Sequence, residues 1–106
     1  MFRMFRKIVD IIEEIKAARK YAAENGFNFF AFCDSEELVR NINSTPNVYD
    51  ESGEIIGRNW LFYTKNLKLH LLLHLLTGGV TGKYVTKGKL AVTYPVTKED
   101  RKKLMK

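Results

Sequence analysis

The stretch Phe27–Cys33, FNFFAFC, constrains the fold more than any other part of the chain. It is dense in aromatic residues and, apart from Asn28, apolar on both faces of a pleat. Successive side chains of a strand point to opposite sides of a sheet, so a run without a polar side has to be covered twice. That predicts a central strand with packed layers above and below it.

The flanking sequence supplies such layers. Phe5, Ile8, Ile12, Ile15, Ala18 and Ala22 recur at three- and four-residue spacing, with Lys7, Asp10, Glu13 and Lys20 among the residues between them. This is the pattern of a long amphipathic helix that ends at Asn25–Gly26. After the aromatic run, Asp34 with Glu37 reads as a capping box. It opens a helix that turns Leu38, Val39 and Ile42 inward and stops before Pro46. Residues 48–57, VYDESGEIIG, place Glu51-Ser52-Gly53 between two apolar runs, which predicts a hairpin, and Asn59–Tyr63 continues as strand.

Thr64 is placed to cap a third helix running to Thr77. Its leucines from Leu67 to Leu76 are expected in the core, and Asn66, His70, His74 and Thr77 form a narrow polar stripe. Beyond a Gly78–Gly82 connection, Lys83–Thr86 and Lys89–Val96 read as strands joined at Lys87-Gly88. In the second of them Leu90, Val92, Tyr94 and Val96 are expected to pack, leaving Lys89, Ala91 and Thr93 to solvent. Thr97 with Asp100 repeats the capping box and starts a basic C-terminal helix or tail over residues 97–106. The elements assemble as a single α+β domain spanning residues 1–106. Its sheet is mainly antiparallel, of about four to five strands, with a long N-terminal amphipathic helix and a buried Leu-rich helix. With 106 residues and 45% apolar composition, the chain has material for one core and no staple is required of its lone Cys33.

The formal charge of +6 conceals an uneven distribution. Residues 1–54 carry seven basic against ten acidic side chains, and residues 55–106 eleven against two, so the balance moves from −3 to +9. No carboxylate occurs between Ile55 and Lys98. A basic half of this kind is the electrostatic footprint expected for a polyanion or an acidic protein surface. The acids of the first helix, with Glu36, Glu37, Asp50 and Glu51, are expected to form a negative patch opposite it.

Motifs of catalysis are absent from the sequence. His70 and His74 have the spacing of two ligands on one helix face, but Leu71 stands where a zincin helix carries its glutamate, and no third histidine exists. Gly78–Lys83 encloses one residue too few for a phosphate loop, and Tyr84 replaces the hydroxyl that would hold magnesium. Cys33 follows a run of aromatics and reads as a buried structural thiol. No cofactor and no metal site are expected, and an enzymatic reading requires the fold to gather His70, His74 and an acid in one pocket. The most apolar run, Leu67–Leu76, is too short and too polar to span a bilayer. The basic entry Arg3, Phe5, Arg6 and Lys7 suits an anionic membrane surface, although packing on the sheet is the simpler expectation.

The reading that follows is a small intracellular, cytoplasmic binding module that contacts the backbone of nucleic acid, or a nucleic-acid-handling complex, without enzymatic activity. The expected contacts are Lys83, Tyr84, Lys87 and Lys89 on the hairpin, with Arg58, Arg101, Lys102 and Lys103. The alternative is a protein-binding adaptor or inhibitor that lays the same basic surface on an acidic partner and competes with nucleic acid. An exposed edge strand would also offer a route to a homodimer.

Overall fold

The structure, a computed structural model, describes residues 2–50, 52–77, 80–81 and 91–104. Helix α1 (Phe2–Glu24) leads into strand β1 (Phe29–Cys33), followed by α2 (Glu36–Asn43), β2 (Asn47–Tyr49) and β3 (Ile55–Tyr63). The chain continues through α3 (Leu67–Thr77), β4 (Val80–Thr81), β5 (Val92–Pro95) and α4 (Lys98–Leu104). The fold is α+β, with one mixed sheet in the order β2-β3-β1-β5-β4. Four strands of three or more residues make its body, and the two-residue β4 extends one edge. β1 runs parallel to β3, while the pairings β1–β5, β2–β3 and β4–β5 are antiparallel.

β1 is the centre of the sheet and all five of its residues are buried. Phe30 and Phe32 point into a cluster with Ile11, Ile15, Ala18 and Ala22 of α1 and with Leu67 and Leu73 of α3. Phe29, Ala31 and Cys33 point the other way, toward Ile42 of α2, Val48 and Leu61. The two-sided apolar run therefore dictates a three-layer arrangement, with α1 and α3 on one side and α2 on the other.

Several expectations shift by a residue or by an arc. In α1 the buried stripe is Ile11, Ile15, Ala18 and Ala22, while Phe5 is 67% exposed. The helix is longer than the strand it covers: contact with the core begins at Ile8, and Phe5, one turn earlier, stays in water. The cap of α2 is Ser35, whose Oγ accepts from the Leu38 N–H at 3.2 Å; Asp34 lies one residue too early to reach the first turn. Thr64 closes a local turn by accepting from the Asn66 N–H, and Asn66 supplies the carbonyl at the mouth of α3. Thr97 and Asp100 form the expected reciprocal cap of α4.

The Leu-rich α3 is a core helix, yet it is rotated from its expected setting. Leu67, His70 and Leu73 are buried, whereas Leu72 is 73% exposed. At 100° per residue Leu72 lies about 200° around the helix from His70, so burying one expels the other. β5 also departs from its expected alternation: Ala91 and Thr93 are each 1% exposed. They lie on the α2 side of a strand that is paired along both edges. Val80 and Thr81, read as part of a glycine connection, instead pair with Thr93 and Val92. The expected turn at Lys87-Gly88 falls outside the described residues.

The β2–β3 hairpin is closed at its turn by Asp50, whose Oδ1 accepts from the N–H groups of Ser52 and Glu54 and from the Ser52 hydroxyl. Gly53 there has φ +87, a left-handed value that suits glycine. Past the end of β2 the edge of β3 is covered differently. The Asn43 side chain donates to the Leu61 carbonyl and accepts from its N–H, and Pro46 O accepts from the Asn59 N–H.

Candidate nucleic-acid interface

Asn28, the one polar residue of the aromatic run, sits just before β1 and joins two basic segments. Its Oδ1 accepts from the Arg58 N–H at 3.0 Å, and its Nδ2 donates to Asp100 Oδ1 at 3.1 Å. Its main chain donates to the Arg58 carbonyl and accepts from the Val96 N–H, both at 2.9 Å. Arg58 on β3 and the exposed Arg101, Lys102 and Lys103 of α4 thereby come to one end of the sheet. Lys102 lies 3.4 Å from Glu99, an exposed one-turn pair of the sort that is worth little, and Lys103 lies 3.8 Å from the buried Asp100.

Arg58 is also part of an aromatic row. Its guanidinium lies 4.7 Å from the centroid of the Phe27 ring, and Phe27 is 5.2 Å from Trp60. Tyr21 of α1 closes the row, 6.1 Å from Trp60 and 5.8 Å from Phe62. Trp60 and Phe62 are only half-buried and Tyr21 is 42% exposed, because α1 covers β1 more fully than β3. A cation beside π-faces is the chemistry that holds a phosphate while a base stacks. The sequence concealed this row, since Tyr21 and Phe27 belong to a helix and a loop, and only the β1–β3 register sets them against Trp60.

Lys83, Tyr84, Lys87 and Lys89 lie outside the described residues. The chain leaves β4 at Thr81 and re-enters at Ala91, next to the Phe32–Val92 pairing. That is the end of the sheet opposite Asn28 and α4. The described cations Arg58, Arg101, Lys102 and Lys103 therefore belong to segments that meet at the Asn28 end of the sheet.

The charge is sorted by sheet face instead of by sequence half. α1 together with Lys65 and Lys68 carries eight cations against the four carboxylates Asp10, Glu13, Glu14 and Glu24. α2 and its cap carry Arg40 against Asp34, Glu36 and Glu37. The acids of α1 and α2 cannot form the single negative patch expected of them, because the sheet separates the two helices.

The fold does draw one histidine to an acid. His70 is 0% exposed, stacked on Phe32 at 4.2 Å, with Nδ1 3.2 Å from the Tyr94 hydroxyl and Nε2 3.6 Å from Glu14 Oε1. A ring protonated on Nε2 suits both neighbours, pointing its N–H at the carboxylate and accepting from the phenol. Burial lowers the His70 pKa to about 4, so the ring is neutral near pH 7. Burial likewise raises Glu14, against a hydrogen bond from Thr64 that lowers it. The carboxylate–imidazole–phenol row joins α1, α3 and β5, with the imidazole and phenol buried and the Glu14 carboxylate partly open to solvent. His74 does not join it, since its Nδ1 meets the carbonyl of Leu71 in its own helix. Among the described residues no three His, Cys, Asp or Glu side chains group as a metal site. Cys33 is 1% exposed and its thiol is pushed up by desolvation. No described helix is long and apolar enough to cross a membrane.

Neither a protein-family model, nor a curated protein, nor a solved structure matches the chain.

Proposed function

We propose that the protein is a small binding module for nucleic acid. The observation that carries this reading is the Asn28 lock, which sets Arg58 and the cations of α4 at one end of the sheet beside the Phe27–Trp60–Tyr21 row. Cations hold phosphates without reading sequence, and half-exposed aromatic faces accept bases that are free of a duplex. Arg58, Arg101, Lys102 and Lys103 contact the backbone, and Lys83, Tyr84, Lys87 and Lys89 are further candidate contacts outside the described residues. The interaction involves no chemical step and no cofactor.

Trp60 is the sole tryptophan, so its fluorescence reports on the row directly. Titration with short single-stranded DNA and RNA at rising salt is expected to quench Trp60 and to give an affinity that falls linearly on logarithmic axes. Replacing Arg58, Arg101, Lys102 and Lys103 by Gln should flatten the slope by about 0.7 for each phosphate that is no longer neutralised. No binding at low salt, or a slope that the four substitutions leave unchanged, refutes the reading. Capture of one stoichiometric acidic protein that survives nuclease treatment and is released by the same substitutions would instead favour the adaptor or inhibitor.

A further inference from the structure

The N-terminal turns of α1 form a second surface, far from Arg58. The helix runs antiparallel to β1: Ala22 O accepts from the Phe27 N–H at the entry to the strand, whereas Glu14 already reaches His70. At 1.5 Å per residue Phe5 lies about 28 Å along the axis from Glu24, while five-residue β1 spans about 17 Å. The start of the helix therefore overhangs the sheet: Arg3, Phe5, Arg6 and Lys7 are exposed, Ile8 is half-buried against the core, and Ile11 is fully buried.

On this overhang an apolar stripe and a basic stripe adjoin. Phe5 is 67% and Val9 39% exposed, one turn apart, and Arg3 and Arg6 line the same open groove. Lys7 is exposed beside them, and the sequence has no carboxylate before Asp10. A large aromatic left in water on a surface helix calls for a partner, and the partner must be apolar and anionic together. Nucleic acid phosphates reward the cations but not a valine. The acidic α2 of a second copy offers no apolar cover, since Leu38 and Val39 pack against their own core.

We propose that this end of α1 docks on an anionic lipid surface, with Phe5 and Val9 entering the headgroup boundary and Arg3, Arg6 and Lys7 meeting lipid phosphates. The site is separate from the Arg58 end and stands whether or not that end binds nucleic acid. Sedimentation with vesicles of phosphatidylcholine, alone or mixed with phosphatidylglycerol, tests it on the full chain. Binding is expected only to the acidic vesicles. It should fall about a hundredfold in an Arg3→Gln, Arg6→Gln, Lys7→Gln variant. It should fall at least about tenfold in a Phe5→Ser, Val9→Ser variant, with an unchanged melting temperature in both because all five side chains face water.

Three results overturn the proposal. One is no binding to acidic vesicles, or equal binding to neutral ones. Another is full retention by the Phe5→Ser, Val9→Ser variant, which is what simple attraction to phosphates would give. The third is concentration-dependent dimerisation that this variant abolishes and acidic vesicles do not relieve, which would assign the patch to a second copy.

Discussion

His70 gives the structure a signature in its pH dependence. The ring is fully buried between Phe32, Tyr94 and Glu14, and its pKa falls from 6.5 to about 4. Between those values the unfolded chain takes up a proton that the folded one refuses. Stability from this group is therefore complete above about pH 6.5, is lost progressively as the pH falls, and levels off below about 4. The loss by pH 4.5 is about 2.5 kcal/mol, or about 10 °C in melting temperature for a domain of this size. Glu14 acts in the opposite sense: its raised pKa means that the folded state protonates first, so falling pH stabilises through that range. Urea unfolding of wild type and His70→Gln from pH 7.5 to 4.5, repeated in a Glu14→Gln background, separates the two. In that background the His70 chain should lose about 2.5 kcal/mol more than the His70→Gln chain over the interval. Parallel curves would show that the ring is not held neutral and that His70 does not set the rotation of α3.

Three further outcomes test the packing elsewhere. The Thr93 hydroxyl is buried with no hydrogen-bond partner among the described residues, so Thr93→Val should stabilise by about 1 kcal/mol in chemical denaturation; a loss would reveal a partner. A methyl group on Gly57 would stand 2.7 Å from the buried Phe29 ring and 2.9 Å from Asn28 Cβ, so Gly57→Ala should destabilise by about 1–3 kcal/mol and lower the melting temperature. Ser35→Ala should cost about 1 kcal/mol in the same assay and Asp34→Ala much less; the reverse order would return the cap of α2 to Asp34.

Much of this architecture is written locally. A run with no polar face has to be central, and Phe29–Cys33 is; capping and turn chemistry act over three or four residues, so Thr97–Asp100 and the Asp50 turn are legible from spacing alone. The rotation of a helix is less local. α3 offered leucine on nearly every side, so hydrophobicity could not choose its inner arc. The Tyr94 hydroxyl, bonded to His70 Nδ1, and the Glu14 carboxylate facing Nε2 go with the His70 arc turned inward, and Leu72 is turned to solvent. Charge patterning misled for a related reason: α1 and α3 come from different halves of the chain but share one side of the sheet.

The sequence by itself determined the α+β class, the central strand, the Thr97–Asp100 cap, and the excess of cations beyond Ile55, because each depends on composition or on neighbours within a turn or a pleat. Only the tertiary structure decided which cations meet. Arg58 of β3 and the basic helix α4 are brought to one end by a single amide, Asn28, which accepts from the Arg58 N–H and donates to Asp100. Phe5, patterned for a core, is left in water because a helix of 23 residues outruns a strand of five. Such juxtapositions depend on register and length across elements, and no spacing within one element encodes them.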